Sequence, residues 1–327
     1  MTRRILTIDG GGIKGVFPAA MLATLEAEIG RPVASCFDLI AGTSTGGIIA
    51  LALGLGMPAA DVLRLYRETG HRIFPKRTFG RSFGLLRAKY SNAPLREILS
   101  GAFGEKKLGE SMVRLLIPSM DLAAERVHVY KTSHHPDLVR DYKLSAVEVA
   151  LATVAAPTYF PVHVSAEGMP YVDGSLFARN PLGLAVVEAI GILQWPREEI
   201  TVLSLGCTST HLGVGWQKRI SLGGAHWAAK IADVFMKAQS SSAIVTAHAL
   251  VGAANVVRIN PDMSHHRFTM DGAEHMPLLE QLGRHEAHLR LPELKPVFFT
   301  HRAERFVPSH GVQTRSESGQ EALAAFS

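Results

Sequence analysis

Short apolar runs alternate with segments of helical period along most of the chain. Residues 4–8 (RILTI) read as a strand, after which Val16, Ala20, Leu22, Leu25 and Ile29 recur at helical spacing. Phe37, Leu39, Ile40 and Ala41 repeat the strand signal, and Ile48, Ile49, Leu51 and Leu53 continue at spacings that suit a buried helix. Further helices are predicted over 59–70, 94–103, 144–155 and 182–193, with Pro157 ending the third and Asn180-Pro181 opening the fourth. Residues 114–119, 126–132, 201–205 and 256–259 are strand candidates, and 216–254 reads as mainly helical. Strands alternating with helices predict an α/β fold, a mostly parallel sheet covered on both faces. No internal repeat is present.

Two strand-to-helix junctions are rich in glycine. The second, Gly42-Thr43-Ser44-Thr45-Gly46, has the form of a nucleophile elbow: glycines two residues either side of Ser44 remove Cβ atoms that would meet neighbouring backbone, and the serine hydroxyl is pushed into the open. The following helix N-terminus favours negative charge at that spot. The first junction, Asp9-Gly10-Gly11-Gly12-Ile13-Lys14-Gly15, contains a Gly-x-Gly-x-x-Gly spacing. A dinucleotide site would need an acidic strand end about 20 residues on, and a P-loop would need Gly-Lys-Ser/Thr; neither is present. Three consecutive glycines expose unobstructed amides, which suits an oxyanion hole for an intermediate formed at Ser44.

Serine needs a base. Of the fifteen histidines, the pairs His134-His135 and His265-His266 lie in polar, turn-like contexts and read as surface residues. Asp173, in Tyr171-Val172-Asp173-Gly174-Ser175, is the better candidate, because a carboxylate at a strand end followed by glycine points into a cleft. Two alternatives remain: a nucleotide-binding regulator whose Gly-rich loop cradles phosphate, and a hydrolase with a His-completed triad.

Composition bounds the setting. A chain of 327 residues, 47% hydrophobic and 19% charged, can bury a large core. Cys36 and Cys207 lie in or beside apolar runs with no paired spacing, which predicts a reducing compartment without disulfides or a zinc site. The opening apolar run is too short for a signal peptide, and the longest one, 46–60, is broken by Gly54, Gly56 and Pro58. A cytoplasmic protein meeting membrane only peripherally is expected. Net charge is +5, which favours an anionic partner such as a lipid surface or a nucleotide, and no DNA or RNA partner is expected. The stretch 71–91 reads as a loop carrying six basic residues between Arg72 and Lys89, interleaved with phenylalanines. It suits anionic lipid, a nucleotide phosphate, or a solvated loop with its phenylalanines anchored in the core. Arg72, Lys76, Arg77 and Arg81 are the candidate contacts.

The motifs IDGGGIKG (8–15), GTSTG (42–46), AAPTYFP (155–161) and DGS (173–175) together resemble the patatin-like phospholipases, in that family's order and spacing, over about residues 5–205. The resemblance implies a three-layer α/β/α fold; a single domain is expected over 1–308, and 309–327, polar and rich in small residues, reads as a mobile tail. It implies a Ser-Asp dyad with Ser44 as nucleophile and Asp173 as base, an oxyanion hole built from Gly10, Gly11 and Gly12, and Lys14 supporting that hole. No metal or cofactor is expected. The implied reaction is hydrolysis of fatty acyl esters of membrane phospholipid at the inner face of the membrane. Ser175 departs from the Gly or Ala that the family usually carries there. The compact bacterial form with this basic segment also resembles phospholipase effectors of cyclic-oligonucleotide antiphage signalling. That likeness implies activation by a cyclic dinucleotide, and a homo-oligomer is a further expectation.

Overall fold

The computed structural model describes residues 2–75, 87–209, 224–263 and 268–312. In chain order its strands and helices are β1 (Arg3–Ile8), α1 (Val16–Ile29), β2 (Leu39–Gly42), α2 (Thr45–Gly54), α3 (Ala59–Ile73) and α4 (Ala93–Phe103). There follow β3 (Arg114–Asp121), β4 (Arg126–Lys131), α5 (Ala146–Val154), β5 (His163–Val164), β6 (Pro170–Asp173), α6 (Ser175–Ala178) and α7 (Leu182–Gly191). The described chain closes with β7 (Ile200–Leu205), α8 (Gly224–Val251), β8 (Val256–Ile259) and α9 (Met276–Phe298).

One sheet runs in the order β5-β6-β3-β2-β1-β7-β8, with β4 also on β3. The pairings among β3, β2, β1, β7 and β8 are parallel, whereas β4, β5 and β6 join antiparallel. Alternate residues of each strand feed opposite cores, as the pleat requires. Leu6, Ile8, Ile40, Leu115 and Ile117 pack against α1, α2, α5 and α9. Ile5, Leu39, Ala41, Leu116 and Val202 pack against α7 and α8. Helices therefore cover both faces, and the expected three-layer arrangement is present.

The register of β3 decides where the site forms. At Leu116 it has β2 on one edge and β4 on the other, and at Ser119 it has β4 and β6. Because β4 keeps one edge throughout, β6 occupies the same edge as β2, beyond the point where β2 stops. The end of β6, Asp173, thus arrives at the open end of β2, where the chain turns through Ser44.

The helix α9 has no counterpart in the periodicity reading; Pro292 and Pro296 lie inside it. It crosses α1 closely, since a Cβ at Gly283 would stand 2.4 Å from the Phe17 carbonyl oxygen. The loop expected over 71–91 begins later than predicted, because α3 continues through Ile73. The tail expected to be mobile from residue 309 starts with anchored residues. The Ser309 amide donates to the Ser133 carbonyl (2.6 Å), and His310 donates to Ser133 Oγ (2.8 Å) and stacks on Tyr142. Residues 313–327 lie outside the described residues.

Candidate active site

Ser44 sits between β2 and α2 with φ 55 and ψ −123, a backbone conformation that L-residues adopt only under constraint. The constraint is visible in the flanking glycines. A Cβ on Gly42 would stand 2.1 Å from the Gly46 carbonyl oxygen, and one on Gly46 would stand 2.3 Å from that of Ile8. The elbow is therefore pressed against itself and against the end of β1, and only glycine fits at either position. Thr153 of α5 pins it from below: its hydroxyl donates to the Pro118 carbonyl (2.6 Å) and accepts from the Ser44 amide (3.0 Å).

The Ser44 hydroxyl donates to Asp173 Oδ2 at 2.6 Å, and the other carboxylate oxygen accepts from the Ser175 amide at 2.7 Å. Both side chains are buried, Asp173 at 2% exposure. Burial pushes the Asp173 carboxyl up to about 6, against the opposing pull of the Ser44 hydroxyl, the Ser175 amide and hydroxyl, and the Arg179 charge. At neutral pH it is thus mainly ionised yet more basic than an exposed aspartate. Among the described residues no histidine hydrogen-bonds to either side chain, so the His-completed triad finds no support. His134 in particular is far from a surface role. It is buried against Glu188 (2.9 Å) and Thr132 (2.9 Å), while Lys131 pairs with the same glutamate at 2.7 Å.

The three glycines are not equivalent. The Gly10 amide donates to the Arg179 carbonyl (2.9 Å), so it is engaged in holding the loop rather than available to an oxyanion. Gly10 instead provides closeness: a Cβ there would meet Ser175 Oγ at 2.5 Å and Ser44 Cβ at 3.2 Å. For the amides of Gly11 and Gly12 there is no acceptor among the described residues. Gly12 has φ +61, and a Cβ on it would stand 2.2 Å from the Met270 carbonyl oxygen. The loop is tied down by Arg258, which reaches both Asp9 carboxylate oxygens at 2.8 and 2.5 Å.

Ser44 and Gly12 open on an apolar cavity of about 60 Å³ walled by Ile13, Ile48, Phe74, Val154 and Phe160. Phe74 belongs to the basic aromatic stretch and is buried in a cluster with Tyr90 and Phe160, ring centroids 5.3 and 5.8 Å away. The AAPTYFP motif therefore supplies cavity wall. Lys14 lines a second, more polar cavity, and burial together with the nearby Arg179 lowers its ammonium to about 8. Arg72 ends α3 with its guanidinium on both oxygens of Glu97 at 3.0 Å, so its charge is already matched. Lys76, Arg77 and Arg81, like His265 and His266, lie outside the described residues.

Sequence reasoning missed Thr153, Arg179 and Arg258. Arg258 sits one strand position from the end of β8, opposite Ser204, and only the sheet order shows that it faces Asp9. Thr153 and Arg179 lie close to motifs that were read, one before AAPTYFP and one after DGS.

A serine held in a strained strand-to-helix turn, hydrogen-bonded to a carboxylate and opening on an apolar cavity in a three-layer α/β fold, defines the class of serine acyl hydrolases. The patatin-like phospholipase family model matches residues 6–186, and the chain belongs to that family of lipid acyl hydrolases. It is 36% identical over 245 residues to a cGAMP-activated phospholipase of Pseudomonas aeruginosa, covering 74% of this chain and 73% of that one. A cGAMP-activated phospholipase of Vibrio cholerae is 36% identical over 195 residues, 54% of this chain and 55% of its own length. Patatin-like protein 1 of Oryza sativa subsp. indica is 32% identical over 291 residues, 76% of this chain and 70% of the relative. Among the described residues no helix is long and apolar enough to cross a membrane.

Proposed function

We propose that this chain is a phospholipase of the A type that cleaves fatty acyl esters of membrane phospholipids through Ser44 and Asp173, and that a cyclic dinucleotide switches it on. The observation that carries the reading is the 2.6 Å hydrogen bond from the Ser44 hydroxyl to a buried carboxylate whose basicity burial has raised. In the reaction Ser44 Oγ attacks the ester carbonyl carbon while its proton passes to Asp173. The negative charge on the carbonyl oxygen is met by the amides of Gly11 and Gly12 and by the N-terminus of α2. As the tetrahedral species collapses, the Asp173 proton goes to the departing lysolipid oxygen and leaves the acyl group on Ser44. Water then gives its proton to Asp173, attacks the acyl carbonyl and frees the fatty acid, returning the serine proton from Asp173. The apolar cavity holds the first part of the acyl chain.

Nucleotide control is supported by the bacterial relatives whose names carry cGAMP activation. The test is fatty acid release from phosphatidylglycerol/phosphatidylethanolamine vesicles by the purified chain, alone and with a panel of cyclic dinucleotides, with Ser44→Ala as the blank. Release that depends on one nucleotide and is absent from Ser44→Ala is expected. Equal release without nucleotide overturns the switch, and release by Ser44→Ala overturns the nucleophile.

A further inference from the structure

A second cavity, of about 430 Å³, is walled in part by Asp9 and Lys14, which flank the Gly10–Gly12 turn, and shares Tyr159 and Met270 with the cavity at Ser44. Lys14 and Arg179 both line it. Lys237 lines it as well, and of the acidic side chains there Asp9 is already matched by Arg258, which leaves Asp233 among three cations. Two polar atoms in its wall have no partner: the Thr208 hydroxyl, on a residue 3% exposed, and Asn260 Oδ1. Thr208 also holds φ 66, a left-handed conformation that a β-branched side chain strongly resists. Strained backbone, unsatisfied buried polar groups and an excess of positive charge in one cavity are the features of an anion-binding site.

We propose that this cavity binds a phosphodiester anion at a site separate from the acyl chemistry, and that occupancy sets the position of the oxyanion loop. The inference rests on the reading of the chain as a nucleotide-switched phospholipase and assigns the switch a place. Lys14 and Arg179 meet the phosphate, Thr208 donates to it, and Asn260 Oδ1 accepts from a base edge. Coupling to catalysis is direct. Arg179 grips Gly10 from both ends, accepting from its amide at 2.9 Å and donating from Nε to its carbonyl at 3.1 Å. Met270, in the wall of both cavities, accepts from the Ile13 amide at 2.8 Å and abuts Gly12. Tyr159 also lines both. A ligand that repositions Arg179 or Met270 therefore moves the amides that face the ester oxygen.

A phosphodiester arrives either as a cyclic dinucleotide or as a lipid headgroup, and calorimetric titration separates the two. The full chain carrying Ser44→Ala is titrated with cGAMP and, in a second arm, with glycerophosphoglycerol. Lys14→Met removes one cation, and Ala232→Glu sets a carboxylate on the α8 wall of the cavity at an exposed position, so it keeps the test valid should the buried substitution unfold the chain. Binding of cGAMP that weakens about tenfold or more in Ala232→Glu supports the site and names the activator as its ligand. Binding of glycerophosphoglycerol alone, with the same sensitivity, supports the site while overturning nucleotide control. Binding of neither, or binding unchanged by Ala232→Glu, overturns the proposal, and in the latter case a nucleotide-dependent vesicle assay would still stand.

Discussion

The two cavities walled in part by the Asp9–Lys14 segment differ in almost every physical respect. The one at Ser44 is small and walled by Ile, Val and Phe side chains, and its polar side chains are paired, Ser44 with Asp173 and Thr45 with Tyr66. The one at Lys14 is several times larger, carries three cations and leaves buried polar atoms unpaired. Their polar groups have correspondingly different tasks. A dry pocket strengthens the Ser44–Asp173 interaction and raises the basicity of the carboxylate, which is what proton transfer needs. An unsatisfied, positively charged cavity recognises an anion. Both draw wall residues from one strand-to-helix junction, Gly12 and Ile13 for the first and Asp9 and Lys14 for the second.

The sharpest way to break this contrast is to remove the chemistry from the apolar side alone. Ser44→Ala and Asp173→Asn are each expected to lower fatty acid release by about 10⁴-fold or more. Thermal unfolding should still show a cooperative transition, because both replacements fit the space of the original. Comparable hydrolysis by either variant would remove that residue from the reaction. Next in size is the loop. Gly12→Ala forces a Cβ onto the Met270 carbonyl in a left-handed conformation and should displace the amides, lowering kcat by roughly 10²–10³-fold, the scale of a lost oxyanion donor. A kcat within a few-fold of the unsubstituted chain would place the oxyanion donors elsewhere.

The pH dependence is a finer probe. Asp173 acts as base only when ionised, and its carboxyl is raised to about 6, so kcat/KM should fall about tenfold per pH unit below that value and level off above it. Stability has the opposite sign. A carboxyl raised on folding binds its proton more tightly in the folded chain, so this group's contribution is largest at low pH and is lost as pH rises from the ordinary aspartate range through 6. Asp173→Asn should abolish that dependence and raise the melting temperature slightly at pH 8. The smallest effect expected is from Thr153→Val, which leaves the Ser44 amide without its acceptor: about 1–3 kcal/mol of stability measured by urea unfolding, with only a modest loss of rate.

The geometry of the Ser44 half of this contrast was legible in the sequence because close backbone approach admits so few residues. Gly42 and Gly46 are glycine since their carbonyl neighbours leave no room, and the same crowding makes the motif visible. Asp173 was legible because a strand end followed by glycine has a characteristic look. The other half was not. Lys14 comes two residues after the glycines, yet the short helical turn over Gly12–Gly15 sends Ile13 to the wall of one cavity and Lys14 to the wall of the other. Thr208 and Asn260 come from the ends of β7 and β8, and nothing short of the sheet order β1-β7-β8 brings them beside Lys14. Gly10 fits the glycine pattern as well as its neighbours do, and only the position of the Arg179 carbonyl shows that its amide is engaged. The helix α9 went unread because Pro292 and Pro296 interrupt its signal, while packing against α1 stabilises it regardless.

The claim at the centre of this account is that Asp173 alone takes the proton of Ser44. The most direct measurement is the rate of covalent labelling of Ser44 by a fluorophosphonate probe as a function of pH, with the modified residue identified by mass spectrometry. Labelling at Ser44 that declines below about pH 6 and is lost in Asp173→Asn is the predicted result. Labelling of Asp173→Asn at an undiminished rate, or labelling at a different serine, would contradict it.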